Sequence, residues 1–446
     1  MVSLGAFGLF GVSAFWSEWA VGAERVGLVG IPVRGVSVAT WTAVVTLLAA
    51  VIVLRNPEVV HLRHSPWAAG VVLYASSIGF GVMIAIARTA SLAGVSEGLQ
   101  DVLVALAPIP LAILVGRRWQ AAAAIALALL GLELLYCAGQ LLALPLDQHV
   151  TGWLTVGNAS RWWDSRALFG TFATTGKNFF GSAMALSAAV LLPWTLGHSS
   201  RITRATAIVL VCLTAIAVAL SLSRGALVSL IASALVIAAS VGTRRRALAV
   251  ACGTIAVLLA ISLILALQGT SLKSLKGSAS SAESGSVRLE IWRAALGSGP
   301  SLLVGQGHDR AHVVTSTVQE TFHQQPGLGA SNATENLYIR RLVEGGLIGV
   351  AGLLGYFAAL AFESRGIRRQ QRLDTQTLWR LSLRALVAAV VVQSLFADVL
   401  AYEQAAAVFA ISVGLAGATL HSGGAAFPTI AKDERRLRCR DQDLPK

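Results

Sequence analysis

Residues 333–349 read Ala-Thr-Glu-Asn-Leu-Tyr-Ile-Arg-Arg-Leu-Val-Glu-Gly-Gly-Leu-Ile-Gly. The stretch opens as a polar helix start and continues straight into an apolar run, the pattern of a helix entering a membrane. It closes a long polar segment, 268–341, set between two apolar runs. Within that segment, Gly269 to Ser286 is rich in Ser, Gly and Lys and poor in large apolar residues, so it is expected to be a mobile lead-in. Ser286 to Leu296 predicts a short amphipathic helix, with Leu289, Trp292, Ala295 and Leu296 on one face and Arg288 near its start. Gly297-Ser-Gly-Pro300 ends that helix. Gly305-Gln-Gly307-His308 follows as a turn cluster whose glycines permit positive φ and the close approach of a ligand.

The rest of the chain fits the same reading. It has 446 residues, 55% hydrophobic and 13% charged, and a mean hydropathy of +0.70, whereas soluble domains carry about 25% charged residues. The expected fold class is all-α: one polytopic membrane domain over 1–446, a helix bundle of about 12 transmembrane helices. Its spans fall near 2–18, 36–54, 67–87, 101–116, 120–143, 178–196, 205–222, 225–241, 247–267, 343–362, 382–400 and 404–420. The large partly helical extracytoplasmic loop is 268–341, and 423–446 is a basic cytoplasmic tail, expected to be disordered. Glu133, in the middle of the fifth run, is an intramembrane carboxylate and so a candidate for function.

The net charge of +13 would suggest nucleic acid in a soluble protein. Here the arginines collect in short alternate loops, as at Arg55, Arg117, Arg118, Arg201, Arg204, Arg244 to Arg246 and Arg365 to Arg380, where they set orientation in the bilayer. No nucleic-acid partner is expected. Both termini are placed in the cytoplasm, and no cleavable signal peptide is expected. Three cysteines fall inside apolar runs and Cys439 in the tail, so no disulfide is expected in the outer loop. His308, His312 and His323 are spaced too irregularly for a metal site, and no metal or other cofactor is expected.

Several motifs together resemble the O-antigen ligase and O-antigen polymerase superfamily of bacterial membrane proteins. They are Gly170 to Gly176 with Lys177-Asn178, Leu222-Ser-Arg224-Gly-Ala226, then Arg288, Trp292, Pro300, Gly305 and Gly307, Glu335-Asn336 with Tyr338, and Glu344-Gly-Gly-Leu-Ile-Gly349. The resemblance covers roughly the C-terminal two thirds of the chain. It implies a metal-independent glycosyltransferase of the bacterial cytoplasmic membrane. Such an enzyme moves a polyprenyl-pyrophosphate-linked glycan to an acceptor glycan or lipid on the outer side, with other polysaccharide assembly proteins as further partners. Three activities stay open within it: a polymerase of O-antigen or exopolysaccharide, a ligase to lipid A core, and a protein glycosyltransferase. A transporter of polysaccharide or lipid-linked oligosaccharide is the rival from another class.

The basic residues expected on the outer side, among them Arg224, Arg288, Arg340, Arg341 and Lys177, run against the orientation rule and match a phosphate-bearing substrate, because a guanidinium pairs bidentately with phosphate oxygens. By resemblance, Arg224 is a pyrophosphate contact; read alone, it is also an arginine snorkelling to the interface. Arg288 is by resemblance a second pyrophosphate contact, or else a solvated helix-end charge. Many ligases carry His, the proposed base, where this chain has Glu335, a departure that favours the polymerases. Glu335 also reads as a helix-start carboxylate capped by Thr334. Asn336, Lys177, Arg340, Arg341, Trp292 and Tyr338 complete the expected substrate-binding set, Trp292 reading either as a docking residue or a sugar platform. Glu344-Gly345-Gly346 is expected to let the re-entering helix approach a neighbour, with Glu344 paired to an arginine.

Overall fold

The computed structural model describes residues 2–22, 38–55, 65–88, 92–141, 177–197, 201–221, 223–241, 279–297, 301–308, 310, 336–365, 373–400 and 403–422. Every regular element among them is helical: α1 (Val2–Gly22), α2 (Val38–Arg55), α3 (Pro66–Ala87), α4 (Leu92–Leu106), α5 (Pro108–Val115), α6 (Trp119–Leu141), α7 (Lys177–Leu191), α8 (Arg201–Leu220), α9 (Arg224–Ser240), α10 (Ala279–Leu296), α11 (Ser301–Val304), α12 (Leu337–Glu363), α13 (Thr375–Gln393) and α14 (Glu403–Ser422), with short 3-10 turns at Gly116–Arg118 and Leu192–Thr195. Eight stretches among the described residues are long and apolar enough to cross a membrane, and one of these, Val95–Gly139, is divided at Gly116. There φ is 43° and the helical direction breaks. This is an all-α polytopic membrane bundle. The run expected at 247–267 lies outside the described residues, as does the tail 423–446.

Caps chosen from the sequence's polar residues fix where the key helices begin. The Asn336 carboxamide oxygen accepts from the amides of Tyr338 and Ile339 at 3.1 and 3.2 Å, and Asp374 accepts from Thr377 at 2.7 Å, each satisfying donors that a helix start leaves open. Small residues then set the packing. Gly81 lies against the Glu344 carbonyl, Gly352 against Ser77, and Gly70 against Tyr356 and Ala359. The residue numbers fall along α3 as they rise along α12, so the two helices run antiparallel with their backbones close, as small residues permit in membranes. Tyr74 stacks on Tyr356 at 5.5 Å between ring centroids. α13 is antiparallel to both α7 and α9: Gln393 donates to Ser182 at 2.8 Å, Ser382 to the Val190 carbonyl at 2.7 Å, and Ser233 to the Ala385 carbonyl at 2.9 Å. α14 is buried along nearly its whole described length and forms the middle of the core.

Three sequence expectations need correction. The span expected at 382–400 is the helix Thr375–Gln393 followed by turns to residue 400. Its first half is polar and reads as loop, but the Asp374 cap starts a helix there, and Arg384 is taken up by the hydroxyls of Ser364 and Ser240, each at 3.3 Å. Arg380 therefore lies in α13 and not in a basic loop. The lead-in expected up to Ser286 is helical from Ala279. The buried face of α10 is also turned: Ile291 and Ala295 are buried, whereas Leu289 and Leu296 are each 51% exposed. Ala295 meets Val343 of α12, with Leu302 and Ile339 packed on the pair.

Candidate functional site

The site is built around a break in α12. Gly346 has φ 62° and ψ −149°, so two helical segments meet there, and the first segment leaves carbonyls at its end without helical partners. The turn after α11 supplies the missing donors. Gln306 donates its amide to the Val343 carbonyl at 2.7 Å, Gly307 to Glu344 at 3.0 Å, and His308 to Gly81 of α3 at 3.0 Å. Gly305 and Gly307 have φ of 95° and 101°, and a Cβ on Gly305 would lie 2.6 Å from the Glu344 oxygen. The positive angles expected at this turn are present; what approaches closely is the α12 backbone and, at Gly307, Ala85, where a ligand was expected.

This clasp brings a set of charged side chains into the bundle. Glu344 is buried between two arginines, accepting from Arg340 Nε at 2.9 Å and Arg341 Nη1 at 2.7 Å, as the expected pairing of Glu344 with an arginine required. Arg341, 2% exposed, also donates to the Tyr74 hydroxyl at 3.1 and 3.3 Å. A single oxygen of Asp101 on α4, Oδ2, lies 3.2 Å from His308 Nε2, 3.3 Å from Arg341 Nη2 and 3.9 Å from Arg340 Nη2. Asp398, fully buried, is 3.9 Å from Arg340 Nη1. Burial alone would push the His308 imidazole towards its neutral form, but the Glu344 and Asp101 carboxylates beside it prevail and raise its pKa. With His308 protonated, three cations face three carboxylates, which a low-dielectric interior demands of buried charge.

One turn, residues 393–398, joins this cluster to two other motif segments. Gly225, next to Arg224, lies against Gln393 and Phe396 so closely that a Cβ would sit 2.7 Å from the Phe396 Cβ. Leu337 donates its amide to the Ser394 carbonyl at 2.9 Å, and the Asn336 side-chain amide reaches the Leu395 carbonyl at 3.4 Å. Asp398, at the far end of the turn, faces Arg340. Gly181, four residues after Lys177, packs on Ser221, Ser223 and Ala226. The beginnings of α7, α9 and α12 therefore share one end of the bundle. Arg224 is exposed there as the first residue of α9, behind the Ser223 cap.

Residues 207–354 match the family model described as O-antigen ligase. Over this segment the chain is O-antigen ligase-like. The resemblance to the ligase and polymerase superfamily read from the motifs is borne out over this segment, and the apolar helices make the chain a multi-pass membrane protein. No curated protein matches the chain significantly.

The ligase-like segment contains Arg224, Arg288, Trp292, Asn336, Tyr338, Arg340 and Arg341. Arg288 and Trp292 are half-buried on α10. Asn336 is a buried cap, and the Tyr338 hydroxyl donates to the Val391 carbonyl of α13 at 3.0 Å. Lys177 is the first residue of α7. Glu335 lies outside the described residues, as do His312, His323 and Gly170 to Gly176; Glu133 is fully buried in α6. Sequence reasoning passed over Tyr74 and Asp101 and gave His308 no partner. Asp101 carried a usable signal, a carboxylate at the edge of an apolar run; Tyr74 carried none, since a tyrosine in an apolar run reads as packing.

Proposed function

We propose that this protein is a glycosyltransferase of surface polysaccharide assembly that uses a polyprenyl-pyrophosphate-linked glycan and acts as a polymerase. The observation that carries the reading is the convergence on the 393–398 turn, which holds the Arg224 corner beside the Asn336 cap that follows Glu335. In the reaction, the acceptor hydroxyl oxygen bonds to the anomeric carbon as the bond from that carbon to the pyrophosphate oxygen breaks. Glu335 takes the hydroxyl proton. The leaving polyprenyl pyrophosphate carries away the electron pair, and Arg224 and Arg288 stabilise the charge growing on it, the electrostatic effect that commonly dominates such transfers. The glutamate at the position where many ligases carry histidine favours polymerase over ligase, the acceptor then being another lipid-linked repeat.

The test is chain synthesis in cells. Arg224→Ala and Glu335→Gln should each lower polymer by about 100-fold or more at normal protein levels, while lipid-linked repeats accumulate on the outer face. Arg224→Lys should recover only part, because an ammonium lacks the planar fork. Near-normal synthesis in both Arg224→Ala and Glu335→Gln would overturn the catalytic reading, and accumulation on the cytoplasmic face would indicate a transporter.

A further inference from the structure

A cavity of about 570 Å³ lies at the end of the bundle opposite the Arg224 corner, enclosed by α6, α7, α8, α13 and α14. Its volume is in the range of sites that hold small organic ligands, about 300–1,000 Å³, and no step of the proposed reaction uses it. The walls are apolar, with Leu130, Val190, Leu210, Ile411 and Leu415 among them. Exposed lining residues, Gln120 and Ala124 on α6 and Ile202, Thr203 and Thr206 on α8, mark the mouth. The cavity thus opens sideways between two helices that cross the membrane, onto lipid.

The rim of the cavity identifies what enters. Trp379 lines the cavity, is 4% exposed and is held edge-on by Trp119 and Trp194 at 6.3 and 5.5 Å. Its indole N–H is buried behind that wall and does not face the cavity. The mouth is also flanked by cations: Arg118 precedes Trp119, while Arg201 and Arg204 bracket Ile202 and Thr203, all three arginines exposed. Arg204 is steadied by donating Nε to the Thr195 carbonyl at 3.0 Å. The carboxylate of Asp374, at the same end, is occupied in capping α13.

We propose that this cavity is a binding site for an anionic phospholipid, one acyl chain entering between α6 and α8 and the phosphate lying among Arg118, Arg201 and Arg204. A polyprenyl phosphate would also satisfy the apolar walls and the arginines, and the experiment below separates the two. The inference stands independently of the glycosyl-transfer reading.

The experiment is equilibrium binding of fluorescent phosphatidylglycerol to the full chain, purified and delipidated in detergent, with phosphatidylcholine of the same chains and polyprenyl phosphate as competitors. One phosphatidylglycerol should bind per chain, displaced poorly by both competitors. Ala124→Trp, which fills the mouth from an exposed position, should weaken binding about tenfold. Gln120→Trp replaces Ala124→Trp if the latter fails to melt like the parent. Binding unchanged by the mouth substitution overturns the site, equal binding of phosphatidylcholine overturns the role of the arginines, and stronger binding of polyprenyl phosphate overturns the assignment to phospholipid.

Discussion

His308 is a histidine that the fold holds charged. It is 2% exposed, yet the carboxylates of Glu344 and Asp101 raise its pKa against the effect of burial. A group whose folded pKa is raised stabilises the fold fully below its unfolded pKa, about 6.5 for histidine, and loses that contribution as pH climbs through the folded value. Thermal unfolding of the purified protein and of His308→Gln should therefore differ most near pH ~5.5 and converge as pH rises towards ~9. A gap that widens with pH would show that the imidazole is neutral in the fold. None of this was visible along the chain. His308 sits among glycines, and its carboxylates come from helices distant in sequence, so the pairing exists only once α4 and α12 are assembled.

At the scale of the element, α12 shows both what patterns reveal and where they stop. Its polar start was legible, although the cap is Asn336 where the sequence pointed to Thr334, and its close packing was legible because Glu344 is followed by two glycines. The break was not, since two glycines in an apolar run fit a tight straight helix equally well. Gly346 occupies a region of backbone space almost reserved for glycine, with the Leu303 carbonyl where a Cβ would sit. Gly346→Ala should cost about 1–3 kcal/mol from the backbone alone and release the 305–308 turn, read as a lower unfolding temperature. Gly79→Ala is the contrast: nothing lies within 4 Å of its would-be Cβ, so the helix should be unchanged or slightly stabilised. Equal losses at both positions would mean that the break contributes nothing special. The misplacement of α13 has a related cause. Trp379 and Arg380 make its start look like an aqueous loop, whereas the Asp374 cap and the aromatic partners of Trp379 make a helix of it. On α10, Leu289 and Leu296 are exposed while Ile291 and Ala295 pack inward, so periodicity alone chose the wrong face.

For the whole molecule, the fold class was legible from composition and the length of the apolar runs, because a bilayer allows few alternatives to helices. The gathering of the motifs at one end was anticipated only through alternate loops, and the packing of the 393–398 turn gives it a structural basis. Orientation follows as a prediction: reporters fused after Gly269 and Gly285 should report the extracytoplasmic side, and those after Arg245 and Arg369 the cytoplasm. The reverse pattern would place the Arg224 corner on the wrong side for acceptors outside the cell. The clasp on Asp101 carries one more consequence. Because His308 and Arg340 lean on the same carboxylate oxygen, the two ends of residues 309–335 are fastened at one place, like a purse held by its drawstring. Changes within that stretch are thereby kept apart from the helices the clasp holds together, which stay as they are.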